Sequence, residues 1–250
     1  EDGIYLLEAK GHSTVWMNGV PRYGDPYQWS FVRVPVELKQ GENQFLFQCS
    51  RGRMQAKLVK PESSAFLNKG DTTLPHYRVG ETQPQWGAIL VVNADNEPLR
   101  NGRIHVSAGE PYQTITSLPE LLPLSQRKVK FQLPNVSELN EENVQLTLTL
   151  LHEQGKHIVT LDETELEIGV RKSGQSYKRT FVSEIDGSVQ YYAVQPAIPN
   201  DEGNESKSLF LSLHGASVEA INQANAYAPK RWGNLVAPTN RRPFGFDWED

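Results

Sequence analysis

Long apolar runs are absent from this 250-residue chain; the longest, such as residues 88–92, are the length of one strand. Nothing approaches the ~20 apolar residues that a membrane-spanning helix requires, so no membrane span is expected. Cysteine is nearly absent too. Cys49 stands alone, which rules out an internal disulfide and leaves the redox compartment open. There is no basic excess: the net charge is −5, and the Lys and Arg residues are scattered. The densest early group, Arg51, Arg53 and Lys57, lacks the interleaved aromatics that single-stranded nucleic acid would stack on. Nucleic acid is therefore not an expected partner. The first residue is Glu1, not Met, and no charged-then-apolar leader follows it. The expectation is that a leader has been removed or that the chain begins inside a longer protein.

What the chain has instead is alternation. Residues 4–9, 14–17, 31–36 and 44–48 alternate polar and apolar, the period of a half-buried strand, and helical periodicity is missing from residues 1–60. Asn18-Gly19 lies between two of these runs, and both residues tolerate the positive φ of a tight hairpin turn. Residues 1–60 are thus expected to form a β-sandwich. Residues 61–84 are polar and turn-rich and read as a linker. Strands resume at 87–93, 104–108, 129–133, 144–151, 157–161 and 165–170, enough for a second sandwich over 85–177. Leu118-Pro119-Glu120-Leu121-Leu122-Pro123 is too proline-rich for a regular strand and is expected to cross between sheets. The pattern changes after residue 178. A hairpin turns at Asp186-Gly187, the apolar segment 209–213 follows, residues 218–228 show helical spacing, and 235–238 is a further short strand. The fold class expected is mainly β: a jelly-roll-like sandwich, an immunoglobulin-like sandwich, then the N-terminal part of an α/β-hydrolase sheet.

Two resemblances accompany this reading. The run Val15-Trp16-Met17-Asn18-Gly19-Val20, followed by Val36-Glu37-Leu38-Lys39-Gln40-Gly41-Glu42-Asn43, resembles the galactose-binding-like jelly roll that accompanies many glycan-active enzymes. It covers about 50 residues, fewer than such a domain usually has. The second lies in 178–250. The segment Thr180 to Ala197, then Ser212-Leu213-His214-Gly215-Ala216, then Val236-Ala237-Pro238-Thr239-Asn240-Arg241-Arg242-Pro243-Phe244-Gly245, resembles the opening of prolyl-oligopeptidase-like and esterase-like serine hydrolases. That resemblance implies a loop at His214, Gly215 and Ala216 donating a backbone N–H to an oxyanion hole; the bland alternative is a strand-end turn. It also sets residues 236–245 beside the active site; Arg241 and Arg242 there read as able to hold a substrate carboxylate bidentately, or else as plain surface arginines.

The family's nucleophile elbow is G-x-S-x-G, followed by Asp and then His. Gly215-Ala216-Ser217-Val218-Glu219 departs from it at Glu219, and no histidine follows His214, so Ser217 lacks a downstream base. Elsewhere, His152 and His157 are five apart, not the four that puts two metal ligands on one helix face, and read as strand-end residues. Asp162-Glu163-Thr164-Glu165 reads as a solvated edge. Asn135-Val136-Ser137 and Asn204-Glu205-Ser206 fit a glycosylation sequon, relevant only in a eukaryotic secretory host.

The function expected from the resemblance is the front portion of a secreted or periplasmic serine hydrolase, a peptidase or esterase, inactive in this chain alone. A peptide or ester would be its substrate, and neither cofactor nor metal is expected. The alternative is a non-catalytic β-sandwich protein that binds glycan or another protein chain.

Overall fold

The computed structural model describes residues 2–49, 53–137, 139, 141–198, 208–213, 215 and 218–239. Apart from one short helix, the regular structure is strand: β1 (Gly3–Lys10), β2 (His12–Met17), β3 (Val20–Asp25), β4 (Arg33–Leu38), β5 (Phe45–Cys49), β6 (Gln55–Val59), β7 (Ala65–Thr73), β8 (Tyr77–Arg78), β9 (Trp86–Asn93), β10 (Gly102–Ser107), β11 (Gln113–Ser117), β12 (Ser125–Gln132), β13 (Asn143–Gln154), β14 (His157–Arg171), β15 (Tyr177–Val182), β16 (Val189–Gln195), β17 (Ser208–Leu211) and β18 (Gly233–Pro238). The helix α1 spans Ala220–Asn225. The expected mainly β architecture of sandwich modules is what the chain forms.

The first sandwich packs the sheet β4-β1-β6 on the sheet β3-β2-β5. Alternation along each strand sends Leu7, Ala9, Val15, Met17, Val34 and Val36 into one core. Asn18 and Gly19 both take positive φ at the β2–β3 turn. The Asn18 side chain accepts from the Gln44 N–H at 2.8 Å and donates to Asn43 Oδ1. Asn43 in turn closes its own loop, accepting from the Lys39 N–H and donating to the Lys39 carbonyl. The two turns quoted for the jelly-roll resemblance are thus hydrogen-bonded to each other.

The second sandwich packs β11-β10-β13-β14-β8 on β12-β9-β7 around Ile89, Val91, Ile104, Val106, Phe131, Leu146, Leu148 and Ile168. Part of the segment expected to be a linker belongs here: β7 lies beside β9, and Ala65, Leu67 and Tyr77 sit in this core. β9 is covered on both faces. Its Ile89 and Val91 face the sandwich core, while Val92 packs outward with Phe66 against Leu6 of β1.

Residues 177–239 form a mixed sheet in the order β15-β16-β18-β17, with β17 parallel to β18 and the other pairs antiparallel. α1 buries Ala220 and Ala224 on Tyr191, Ala193, Leu235 and Ala237. The edge strand β17 exposes Leu209 and Leu211. The hairpin, strand, helix and strand expected after residue 178 are present as β15–β16, β17, α1 and β18. An α/β domain layers helices over the faces of its sheet; among the described residues α1 alone lies on this one, so an α/β-hydrolase fold is not shown.

This sheet is clasped to the second sandwich by the segment after β7. The His76 N–H donates to the Lys178 carbonyl, and His76 Nδ1 accepts from the Lys178 N–H, each at 3.0 Å. Arg78 covers the Tyr177 ring at 4.0 Å, and Glu81 pairs with Arg179 at 2.9 Å. His76 is buried, and desolvation, reinforced by the Arg171 and Lys178 cations, brings its pKa down to about 3.

Two expectations can be measured. Asn43 joins two turns, so Asn43→Ala should lower stability by about 1–2 kcal/mol in urea unfolding. His76 stays neutral when folded and takes up a proton near pH 6.5 when unfolded. Its contribution is therefore intact above pH 6.5 and is lost as pH falls toward 3, by at most about 1.4 kcal/mol per unit. Buried His12, also lowered by desolvation against an opposing effect of Asp25, acts in the same direction. Unfolding curves from pH 7 to 4 should show this slope, and His76→Gln should remove its own share.

Candidate functional site

The sequence-derived candidates fall mostly outside the described residues: His214, Ala216, Ser217, Arg241 and Arg242 all do. Gly215 is described, and a Cβ built there would meet nothing within 4 Å. Its surroundings make no demand for glycine. Ser212 is committed elsewhere, donating to the Tyr227 hydroxyl at 3.0 Å and accepting from Gln223 Nε2 at 2.8 Å. No serine–histidine hydrogen bond occurs among the described residues. His152 and His157 stand on the adjacent strands β13 and β14 near their connecting turn, and no metal-binding group of three His, Cys, Asp or Glu side chains occurs among the described residues. No described helix is long and apolar enough to cross a membrane.

The structure instead builds a cleft of about 480 Å³ where the β3–β4 loop of the first sandwich meets the outer face of the β12-β9-β7 sheet. One wall is aromatic. Tyr27 stacks on Trp29 at 5.7 Å between ring centroids, and Trp29 stacks on Phe31 at 5.6 Å, with interplanar angles of 28° and 29°. Tyr23 extends the wall from β3. The other wall is polar: Gln126 and Lys128 from β12, and Asp71, whose Oδ1 receives Lys128 Nζ at 2.8 Å. Leu90 of β9 also lines it.

The loop that carries the aromatics is fixed by one carboxylate. Asp25 is buried, and its Oδ1 accepts from the Trp29 N–H at 2.9 Å while Oδ2 accepts from the Ser30 N–H at 2.7 Å. Such charge-assisted bonds are shorter and stronger than neutral ones. They hold Gln28 and Ser30 at φ of 61° and 66°, a left-handed region that opposes non-glycine residues by roughly 1–2 kcal/mol each. The loop is then tied across to the second sandwich, where Asn68 Nδ2 donates to the Phe31 carbonyl at 2.7 Å.

Two close approaches shape the cleft. Gly24 lies against the His12 carbonyl, and Gly70 lies against the Phe31 side chain; a Cβ at either position would overlap its neighbour. A bulge in β7 makes the second possible. Between Asn68↔Leu90 and Thr73↔Ala88, β7 advances five residues while β9 advances two. The surplus carries Gly70 and Asp71 out of the ladder toward the cleft, the use of bulges beside functional sites.

None of these residues was singled out by the sequence reading. A signal was present: Tyr23-Gly24-Asp25-Pro26-Tyr27-Gln28-Trp29-Ser30-Phe31 packs four aromatics around a Gly-Asp-Pro turn. Aromatics at such density in a loop have no core to fill.

No protein-family model matches this chain, and no curated protein matches it. Solved structures with a similar chain path include an exo-β-D-glucosaminidase, with 14% identity and a TM-score of 0.35 over 77% of this chain and 26% of that one. Another is a Bacteroides fragilis protein described as a β-galactosidase, with 10% identity and a TM-score of 0.33 over 89% of this chain and 35% of that one. The chain thus spans about a quarter to a third of their lengths. Both are named as glycosidases and neither as a peptidase or esterase; the expected prolyl-oligopeptidase-like and esterase-like reading, with its serine-hydrolase activity and its peptide or ester substrate, finds no match in either and is set aside.

Proposed function

We propose that this chain is a non-catalytic, carbohydrate-binding β-sandwich protein that holds a sugar ring in the cleft between its two sandwiches. One observation carries the reading: the stacked wall Tyr27–Trp29–Phe31 faces the polar wall of Gln126, Lys128 and Asp71 across about 480 Å³. A pyranose has the same division. Its C–H groups form an apolar face that covers an aromatic ring, and its hydroxyls project from the rim as donors and acceptors. Mostly apolar concave sites with a few placed polar groups are the usual form of small-ligand pockets.

Binding rather than cleavage is supported by how the carboxylates are used. Glycoside hydrolysis needs two carboxyl groups flanking the scissile bond, one as acid and one as base or nucleophile. In this cleft both oxygens of Asp25 accept backbone N–H groups, and Asp71 is paired with Lys128. Each is occupied in building the site.

A glycan array probed with the labelled chain tests this. Binding to at least one glycan is expected, and Trp29→Ala should weaken it by roughly tenfold or more through loss of the stacking surface, with the thermal midpoint little changed. An array on which the native chain binds nothing sinks the reading.

A further inference from the structure

We infer that the cleft selects uncharged hexopyranosides and rejects uronic acids, through Gln126 and the Asp71–Lys128 pair; this rests on the carbohydrate reading above. Gln126 of β12 is half-buried and lines the cleft, and its side-chain amide carries no charge and hydrogen-bonds to hydroxyls. A sugar hydroxyl is a partner for that amide on the β12 wall.

Charge decides the second part. The cleft lining holds two carboxylates, Asp25 and Asp71, and one ammonium, Lys128, so the formal sum is −1. The ammonium is already held by Asp71 at 2.8 Å, with each side chain about 30% exposed. A uronate carboxylate entering here finds its cation neutralised and two carboxylates in the same lining. A neutral hydroxyl meets no such opposition: it hydrogen-bonds with the Gln126 amide and exchanges hydrogen bonds with the paired ions. Asp71 is brought to this position by the β7 bulge, so the same irregularity that shapes the cleft also sets its charge.

The test is calorimetric titration of the full chain with methyl β-D-glucopyranoside, methyl β-D-galactopyranoside and the methyl glycosides of glucuronic and galacturonic acid. At least one neutral glycoside should bind, with its uronate counterpart about tenfold weaker or worse. Asp71→Asn, which frees Lys128, should bring the two within about threefold. Gln126→Leu should weaken the neutral glycoside about tenfold by removing the amide that its hydroxyl bonds to. The native preference needs no variant and stands even if one fails to fold. Uronates bound as tightly as neutral glycosides, with that binding lost in Trp29→Ala, would overturn the selectivity and leave the carbohydrate site intact. An unchanged preference in folded Asp71→Asn would overturn the role given to Asp71. Binding of none of the four would overturn both readings.

Discussion

The structure depends on a single strand having no solvent face. β9 contributes Ile89 and Val91 to the core of the second sandwich and Val92 to the contact with β1 of the first. A strand covered on both sides stays apolar along its length, and residues 88–92 are Ala, Ile, Leu, Val and Val for that reason. Because the outer face of this sheet is partly occupied by the first sandwich, the uncovered remainder lies beside the β3–β4 loop. The cleft occupies that remainder, with Leu90 in its lining. A site between two modules follows from how one module packs on the other.

The parts of the fold that were legible in sequence are those where side-chain alternation and turn chemistry agree. β1, β2, β10 and β13 follow their apolar spacing, and Asn18-Gly19 takes the two positive φ values that its composition favours. The parts that were hidden share a cause. β3 carries Pro21 and Gly24, and β7 carries Asn68, Gly70 and Asp71, so both look like turn or linker. Gly24, Gly70 and Asp71 shape or line the cleft, and Asn68 ties its loop in place. Residues that shape the cleft spoil the pattern by which a strand is recognised, and the cleft concealed its own scaffold.

The expectation of serine-hydrolase chemistry had a different origin. It rested on short matches between 178 and 250, centred on His214-Gly215, and on the order hairpin, strand, helix, strand. That order is present as β15, β16, β17, α1 and β18, but order alone carries no chemistry. Ser212 is engaged with Tyr227 and Gln223 as part of the packing of α1 on its sheet. The aromatic loop offered a stronger physical argument: four rings near one buried carboxylate need a purpose that a hydrophobic core does not supply.

The bonds from Asp25 to the Trp29 and Ser30 N–H groups have one more consequence. Sugars present few apolar atoms, so the gross attraction available to a single ring is small, and any disorder that binding has to remove is subtracted from it. Here the unfavourable backbone at Gln28 and Ser30 is imposed during folding. The aromatic wall is set before a ligand arrives. The entropy of ordering this loop is thereby charged to the folding equilibrium of the chain, and under the proposed carbohydrate reading a weakly attractive guest does not have to supply it.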